Sequence, residues 1–346
     1  MRIVRGDASD RATTQACFEV VRAAGEADDP LGPPWSLRRL RGWLENPVEP
    51  AETWICGDET AGAIQGWYYL LLPERENRDR AYLNLTVHPA RRRRGIGTAL
   101  LRHAAERAAR GGRSVLGGGA LQGSAGAAFA VRAGAAPGLV EARRVLVLAA
   151  IPAGRVASLR EQATQAATGY SLVSWDGRIP DEYLARYAEA GNAMADAPHD
   201  VGEEPWVWDT ARVREQMDNR ERQGRHVYTL AALHAASGEM AAVTAVEADQ
   251  DNPGWGYQLI TAVTRKHRGH RLGLLVKTAM LDWLAVAEPA MERIVTGNAA
   301  VNRYMIAINE ELGYELLSPL AQSYELPVAD ALGQDRRLLL FATASP

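Results

Sequence analysis

Two periods organise the apolar positions of this chain. Ile96, Leu100, Ala104 and Ala108 recur at helical spacing and Gly111 follows as a stop, which predicts a helix over "GIGTALLRHAAERAARG". Ala16, Val20, Val21 and Ala24 predict another within residues 9–25, and Ser36 reads as the cap of a short helix over "WSLRRLRGWLE". Strand patterns fill "MRIVRG", "ETWICG", "GAIQGWYYLLLP", "AYLNLTVHP", "RSVLGGG" and "GLVEARRVLVLA", with a turn expected at "DETAG" and a helix at "SAGAAFAVRAGA" ending at Gly134. Residues 150–169 lack strand pattern and read as a connector, helical in part.

The order then starts again. "YSLVSW" reads as a strand, and helical segments follow across 180–222. "RHVYTLAALH" and "EMAAVTAVEAD" pair around "AASG". "GYQLITAVT", a helix over 272–287, "ERIVTGN", a helix over 300–312 and a strand-rich end complete the second round. Each half therefore reads β–α–α–β–β–β–α–β–α–β. Arg92 and Arg268 are 176 residues apart, as are Gly97 and Gly273, Val87 and Val263, and Leu83 and Leu259. Repetition at domain length with weak identity signals a duplicated domain, not a solenoid. The expected boundaries are 1–150, a connector at 151–168, and 169–346.

Composition narrows the picture. The chain has 346 residues, 47% of them hydrophobic and 23% charged, a globular balance. Its net charge of −3 argues against bulk attraction to a polyanion. The halves differ, however: residues 1–150 carry a net +5 and residues 151–346 a net −8. An anionic ligand suits the first half, and a cationic one such as an amine suits the second. Cys17 and Cys56 have no metal-like spacing and read as small buried hydrophobes. No signal-peptide pattern and no membrane-length apolar run are present, so a cytoplasmic location is expected, with neither membrane nor metal involved.

The chemistry concentrates in "VHPARRRRGIGTALL", Val87 to Leu101, and its echo "VTRKHRGHRLGLLVK", Val263 to Lys277. Four arginines alone fit a solvated turn, a nucleic-acid patch or a phosphate cradle. A strand turning directly into a helix leaves the first helical N–H groups unpaired at the positive end of the helix dipole, which makes an anion site. Gly95 and Gly97 let the loop backbone approach a ligand, and flanking arginines add charge-assisted hydrogen bonds. The loop is too short for a dinucleotide fingerprint and lacks the GxxxxGK[ST] of a P-loop. The basic residues sit in one turn without interleaved aromatics, so no nucleic-acid partner is expected.

"VHPARRRRGIGTALL" resembles the acyl-CoA pyrophosphate loop of the GNAT acyltransferase superfamily, [Arg/Gln]-x-x-Gly-x-[Gly/Ala] between a strand and a helix. Arg92, Gly95 and Gly97 fill the pattern. The second loop supplies Arg268 and Gly273 but places Arg271 where the middle glycine belongs, which a negative φ would accommodate. The resemblance implies an α/β (α+β) protein of two GNAT-fold domains, each a mixed, mostly antiparallel sheet with flanking helices. It implies acetyl-CoA or another acyl-CoA as co-substrate, held by Leu85, Val87, Arg92, Arg93, Arg94, Gly95, Ile96, Gly97 and Thr98. The corresponding set in the second half is Val263, Arg268, Gly269, His270, Arg271, Leu272 and Gly273, with Asn298, Asn302 and Asn309 along the pantetheine.

The resemblance further implies direct transfer of an acyl group, acetyl first, to an amine on a small molecule. A backbone N–H polarises the thioester, a base deprotonates the amine, and an acid protonates the thiolate. The tyrosine that many members use as that acid is replaced by Ala130 in the first half and Asn309 in the second. The chain thus resembles tandem GNAT enzymes of the mycothiol-synthase type, in which the C-terminal half is catalytic. There Glu247, Asn309 and Tyr304 are the catalytic candidates, with Asp249 and His199 as further bases and Trp206, Trp208 and Trp255 as pocket aromatics. Three other readings stay open: acetylation of a protein or peptide amine, a non-catalytic acyl-CoA sensor, and, least favoured, a nucleic-acid binder acting through the basic turn.

Overall fold

The computed structural model describes residues 1–57 and 63–333 and divides into two compact units. Unit 1 comprises Met1–Glu141, Asp200–Glu204 and the chain from Pro319 onward; unit 2 comprises Ala142–His199 and Pro205–Ser318. The turn expected at "DETAG" lies outside the described residues.

Unit 1 begins with β1 (Arg2–Arg5), α1 (Arg11–Asp28), α2 (Leu37–Glu45), β2 (Ala51–Gly57), β3 (Ile64–Leu71) and β4 (Arg80–Val87). It continues through α3 (Ile96–Arg110), β5 (Val115–Leu121), α4 (Ala125–Arg132) and the first half of β6 (Ala136–Val147). Asp10 caps α1, and Ser36 caps α2 by accepting from the Arg39 N–H at 3.1 Å. Alternation along β3 separates the two faces. Trp67 and Tyr69 pack with Cys17, Val20 and Leu40 of α1 and α2, whereas Tyr68 and Leu70 pack with Ile96 and Leu100 of α3. Both cysteines are fully buried, and burial pushes the Cys17 thiol up to about 12.

Unit 2 repeats the plan with α5 (Arg155–Ala166), β7 (Tyr170–Asp176), α6 (Asp181–Asn192), α7 (Thr210–Arg222), β8 (His226–His234), β9 (Met240–Ala248) and β10 (Trp255–Val263). Then come α8 (Leu272–Ala287), β11 (Arg293–Ala299), α9 (Arg303–Leu312) and β12 (Glu315–Leu316). The expected connector holds a helix, as its missing strand pattern suggested: α5 packs on α8 within the same core, through Leu159 and Ala163. That cover explains why α8 is apolar on nearly every face while α3 carries exposed arginines.

The two units do not divide at the expected 150 and 169: residues 142–150 group with unit 2, and residues 200–204 and the last strand with unit 1. The last strand, β13 (Ala321–Pro327), does not pair within unit 2. It lies antiparallel between β5 and the Ala136–Glu141 half of β6, giving unit 1 the order β1-β2-β3-β4-β5-β13-β6. The other half of β6 pairs with β12 and β11 in unit 2, beside β10, β9, β8 and β7. Strand pattern alone carries no pairing partner, so this exchange is invisible in sequence. Among the described residues no helix is long and apolar enough to cross a membrane.

Candidate functional site

In unit 1 the parallel pair β4–β5 is short. Arg80, Ala81 and Tyr82 face Val115, Leu116 and Gly117, and pairing stops there. Beyond Tyr82, β4 runs on to Val87 with β3 as its only strand neighbour, while β5 stays paired with β13 along its whole length. The strands splay and leave one edge of β4 without a strand partner between Leu83 and Val87. An extended ligand arm fits such an edge as an added strand does. Unit 2 repeats this: β10 pairs with β11 only at Trp255–Arg293, Gly256–Ile294 and Tyr257–Val295. A bulge between Gln258 and Ile260 then shifts its register on β9.

Each splayed strand leads into a helix start. In unit 1 the first loop-to-helix bond runs from the Ala99 N–H to the Gly95 carbonyl at 3.0 Å, so the preceding N–H groups crown the N-terminus of α3. Gly95 caps it at φ 79 and Arg93 precedes it at φ 63, both left-handed. In unit 2 the Leu275 N–H bonds the Arg271 carbonyl, and Arg271 caps α8 at φ 53. The expectation of a negative φ at Arg271 is therefore corrected. The turn geometry demands the left-handed region at this position whatever the residue, at a cost of roughly 1–2 kcal/mol for a side chain.

The loop arginines do something other than expected. The Arg92 guanidinium donates to both oxygens of Asp28 at 2.8 and 2.6 Å, and its Nε to the Val87 carbonyl at 3.2 Å. Arg268 repeats the arrangement, donating to Asp196 at 2.7 Å and to the Val263 carbonyl at 3.2 Å. Arg265 pairs with the same aspartate, and these two arginines hold the Asp196 carboxyl down at about 2. Both arginines thus tie the loop to the rest of their own unit. Ile96 and Leu272 face the cores, and Leu85, Val87 and Val263 pack against them. Gly97 lies against Phe129 and Gly273 against Ile308, where an added Cβ would meet a neighbour at 3.4 and 3.1 Å. Arg93, Arg94, Thr98, Gly269 and His270 are exposed at the loop, with the His270 ring 5.5 Å from that of Tyr170.

The asparagines divide. Asn309, fully buried, donates to Asn298 Oδ1 at 2.7 Å, and its own Oδ1 has no partner among the described residues. Asn302 is the cap of α9, accepting from the Met305 N–H. Tyr304 is 87% exposed, on a different side of α9 from Asn309. Glu247 is buried against Arg225 in an ion pair. Asp249 accepts from the Asp251 and Asn252 N–H groups and shapes a turn. His199 is exposed and bonds the Ala197 carbonyl. The three tryptophans do not share a pocket: Trp206 stacks on Arg212, Trp255 on Arg293, and Trp208 packs beside Tyr187 and Gly191.

Sequence reading missed a cavity of about 250 Å³ in unit 1, at the point where β4 and β5 part. It is lined by Arg80, Tyr82, Gly117, Gly118, Asp200 and Glu203 among others. Tyr82 donates to Glu203 at 2.8 Å, and burial followed by that carboxylate raises the Tyr82 phenol above its ordinary range. The only local signal was the run Gly117-Gly118-Gly119 inside a strand, since glycine in a strand interior marks a close approach.

Residues 16–117 match the acetyltransferase (GNAT) family model. Among solved structures, a tandem GNAT protein from the clavulanic acid biosynthesis pathway superposes with a TM-score of 0.78 at 28% identity, over 94% of this chain and 98% of that one. A GCN5-related N-acetyltransferase from Sphaerobacter thermophilus gives a TM-score of 0.64 at 15% identity, over 94% and 95%. One from Kribbella flavida gives 0.50 at 13%, over 95% and 72%. The last two bear on the fold alone. None of the curated proteins matches the chain.

Proposed function

We propose, from the match of residues 16–117 to the GNAT acetyltransferase family model and the likeness of the chain to a solved tandem GNAT protein, that it transfers an acyl group, acetyl first, from CoA to an amino group of a small molecule. The observation that carries the reading is the pairing of a splayed strand with a helix N-terminus, built twice. The pyrophosphate meets the N–H crown of α3, and the pantetheine lies along the free edge of β4. An N–H on that edge polarises the thioester carbonyl. The neutral amine nitrogen bonds to the carbonyl carbon, the C–S bond breaks, the amine gives up one proton and the departing thiolate takes one up.

The transferring half in this proposal is unit 1. It joins the glycine-capped loop to a cavity at the strand fork, with Tyr82 and Glu203 in place to exchange protons with what enters. Unit 2 binds acyl-CoA without transferring from it, because its acidic candidate Glu247 is engaged by Arg225 and Tyr304 faces away. This reverses the division that the sequence resemblance implied.

Titration with acetyl-CoA followed by thermal shift, then thiol release against a panel of amines, tests the proposal. Saturable stabilisation together with amine-dependent thiol release supports it. Stabilisation with silence across the panel turns the protein into an acyl-CoA sensor, and absence of stabilisation defeats both readings.

A further inference from the structure

Residues Asp200–Glu204 belong to the second half of the sequence but to unit 1 in space. Four of the five are hydrogen-bonded to unit 1. Asp200 Oδ1 accepts from the Leu139 N–H at 2.6 Å and from Ser323 Oγ at 3.0 Å. Arg80 donates to the Val201 carbonyl at 3.2 Å. Glu204 and Asn77 exchange three bonds of 2.8 to 3.0 Å. Gly138 must lack a side chain for this docking, because a Cβ there would sit 2.3 Å from Asp200 Oδ1.

The strap forms one wall of the cavity. Opposite it stand Gly117 and Gly118, where a Cβ would meet the Tyr82 ring at 3.1 Å and the Leu83 carbonyl at 3.0 Å. Four charged side chains line the space: Arg80, Asp200, Glu203 and Glu325. Arg80 pairs with Glu325, which leaves Asp200 and Glu203 as an excess of two negative charges. A cation answers that excess. Arg80 adds a second requirement. It is 5% exposed, it lines the cavity, and its Nε–H has no acceptor among the described residues. A buried donor without a partner is unfavourable, so an occupant that accepts from it is favoured. A carboxylate is a poor choice beside three acids, whereas an amide or hydroxyl oxygen is not repelled.

Resting on the acyl-transfer reading above, we propose that this cavity is the acceptor site and takes a small primary amine that also carries a neutral hydrogen-bond acceptor, an amide carbonyl or a hydroxyl. The ammonium sits between Asp200 and Glu203, and the neutral oxygen reaches Arg80 Nε. The volume of about 250 Å³ lies just under the roughly 300–1,000 Å³ of sites for drug-sized ligands, which favours a small molecule over a polypeptide surface.

The test uses the full chain and four probes that separate the two requirements: glycinamide, ethylamine, acetamide and glycine. Each is titrated by ligand-observed NMR, and acetyl-CoA is titrated separately into the same protein. Glycinamide should bind at least tenfold more tightly than the other three. Glu203→Gln, isosteric and uncharged, should weaken glycinamide at least fivefold while acetyl-CoA binding stays within twofold, which also reports that the variant is folded. Arg80→Met should bring glycinamide down to the level of ethylamine. Glycinamide no tighter than ethylamine or acetamide, or unmoved by Glu203→Gln, overturns the inference while leaving acyl transfer standing if acetyl-CoA still binds. Loss of acetyl-CoA binding in the parent protein would instead remove the acyl-transfer reading and the acceptor role with it.

Discussion

Arg92 and Asp28 form a two-pronged ion pair, with guanidinium nitrogens 2.8 and 2.6 Å from the two carboxylate oxygens. The pair joins the phosphate-loop arginine to the last residue of α1. In the second unit Arg268 makes a single bond of 2.7 Å to Asp196, and Arg265 supplies the two-pronged contact to the same carboxylate. The arginine that defines the loop in sequence therefore shapes the loop.

Arg92→Ala should weaken acetyl-CoA binding to unit 1 about tenfold, the equivalent of one charge-assisted bond at roughly 1.5 kcal/mol. Asp28→Ala should do the same, and the double variant should be no worse than either, since both remove one interaction. Arg91→Ala, at an exposed position, should stay within twofold. Calorimetric titration reads all four, and equal losses from Arg91→Ala and Arg92→Ala would mark the run as a simple charge patch.

Gly97 permits close packing against Phe129 with little room beyond a methyl group. Gly97→Ala should retain acetyl-CoA binding in unit 1, and Gly97→Leu should abolish it. The corresponding change in unit 2 is less tolerant, because Ile308 already lies 3.1 Å from the Cβ position of Gly273. Gly273→Ala should lower the stability of unit 2, measurable as a shift in its denaturant midpoint.

The left-handed cap at Arg271 gives a contrast within one position. Arg271→Gly removes backbone strain of about 1 kcal/mol and an exposed ion pair with Glu311 worth about 0–1 kcal/mol, so stability should change little. Arg271→Val keeps the strain, adds a branched side chain and loses the pair. It should fall below Arg271→Gly by about 1–2 kcal/mol in urea unfolding.

Lys277 is buried in unit 2, with Nζ donating to Gln258 Oε1 at 3.0 Å and 4.7 Å from the centre of the Tyr314 ring. Burial pushes its pKa down from 10.5 to about 7. Between those values the unfolded chain holds a proton that the folded chain lacks, so stability rises with pH from about 7 to 10.5 and is lowest below 7. Lys277→Met should flatten that rise. Urea midpoints at pH 7 and pH 9.5 check it, and an unchanged slope in the variant would contradict the assignment.

Much of this molecule is legible in its sequence because the signals are local. The helix over residues 272–287 follows from its apolar run, and Ser36 announces the α2 cap by its hydroxyl and position. The duplication shows in the spacing of Arg92 and Arg268, Gly97 and Gly273. The two anion loops follow from a strand running into a helix, since the unpaired N–H groups are a property of the helix start itself.

Tertiary structure decided what depends on residues far apart in the chain. The pairing of β13 with β5 carries residues 321–327 into the first unit, and no periodicity records a strand's partner. Asp28 as the partner of Arg92, and Arg225 as the partner of Glu247, reassign residues whose type alone suggested other roles. The cavity joins Tyr82 to Glu203, 121 residues later in the chain. A side chain's chemistry is written in its own letter, but its charge balance, its burial and its neighbours are set only when distant segments share one space.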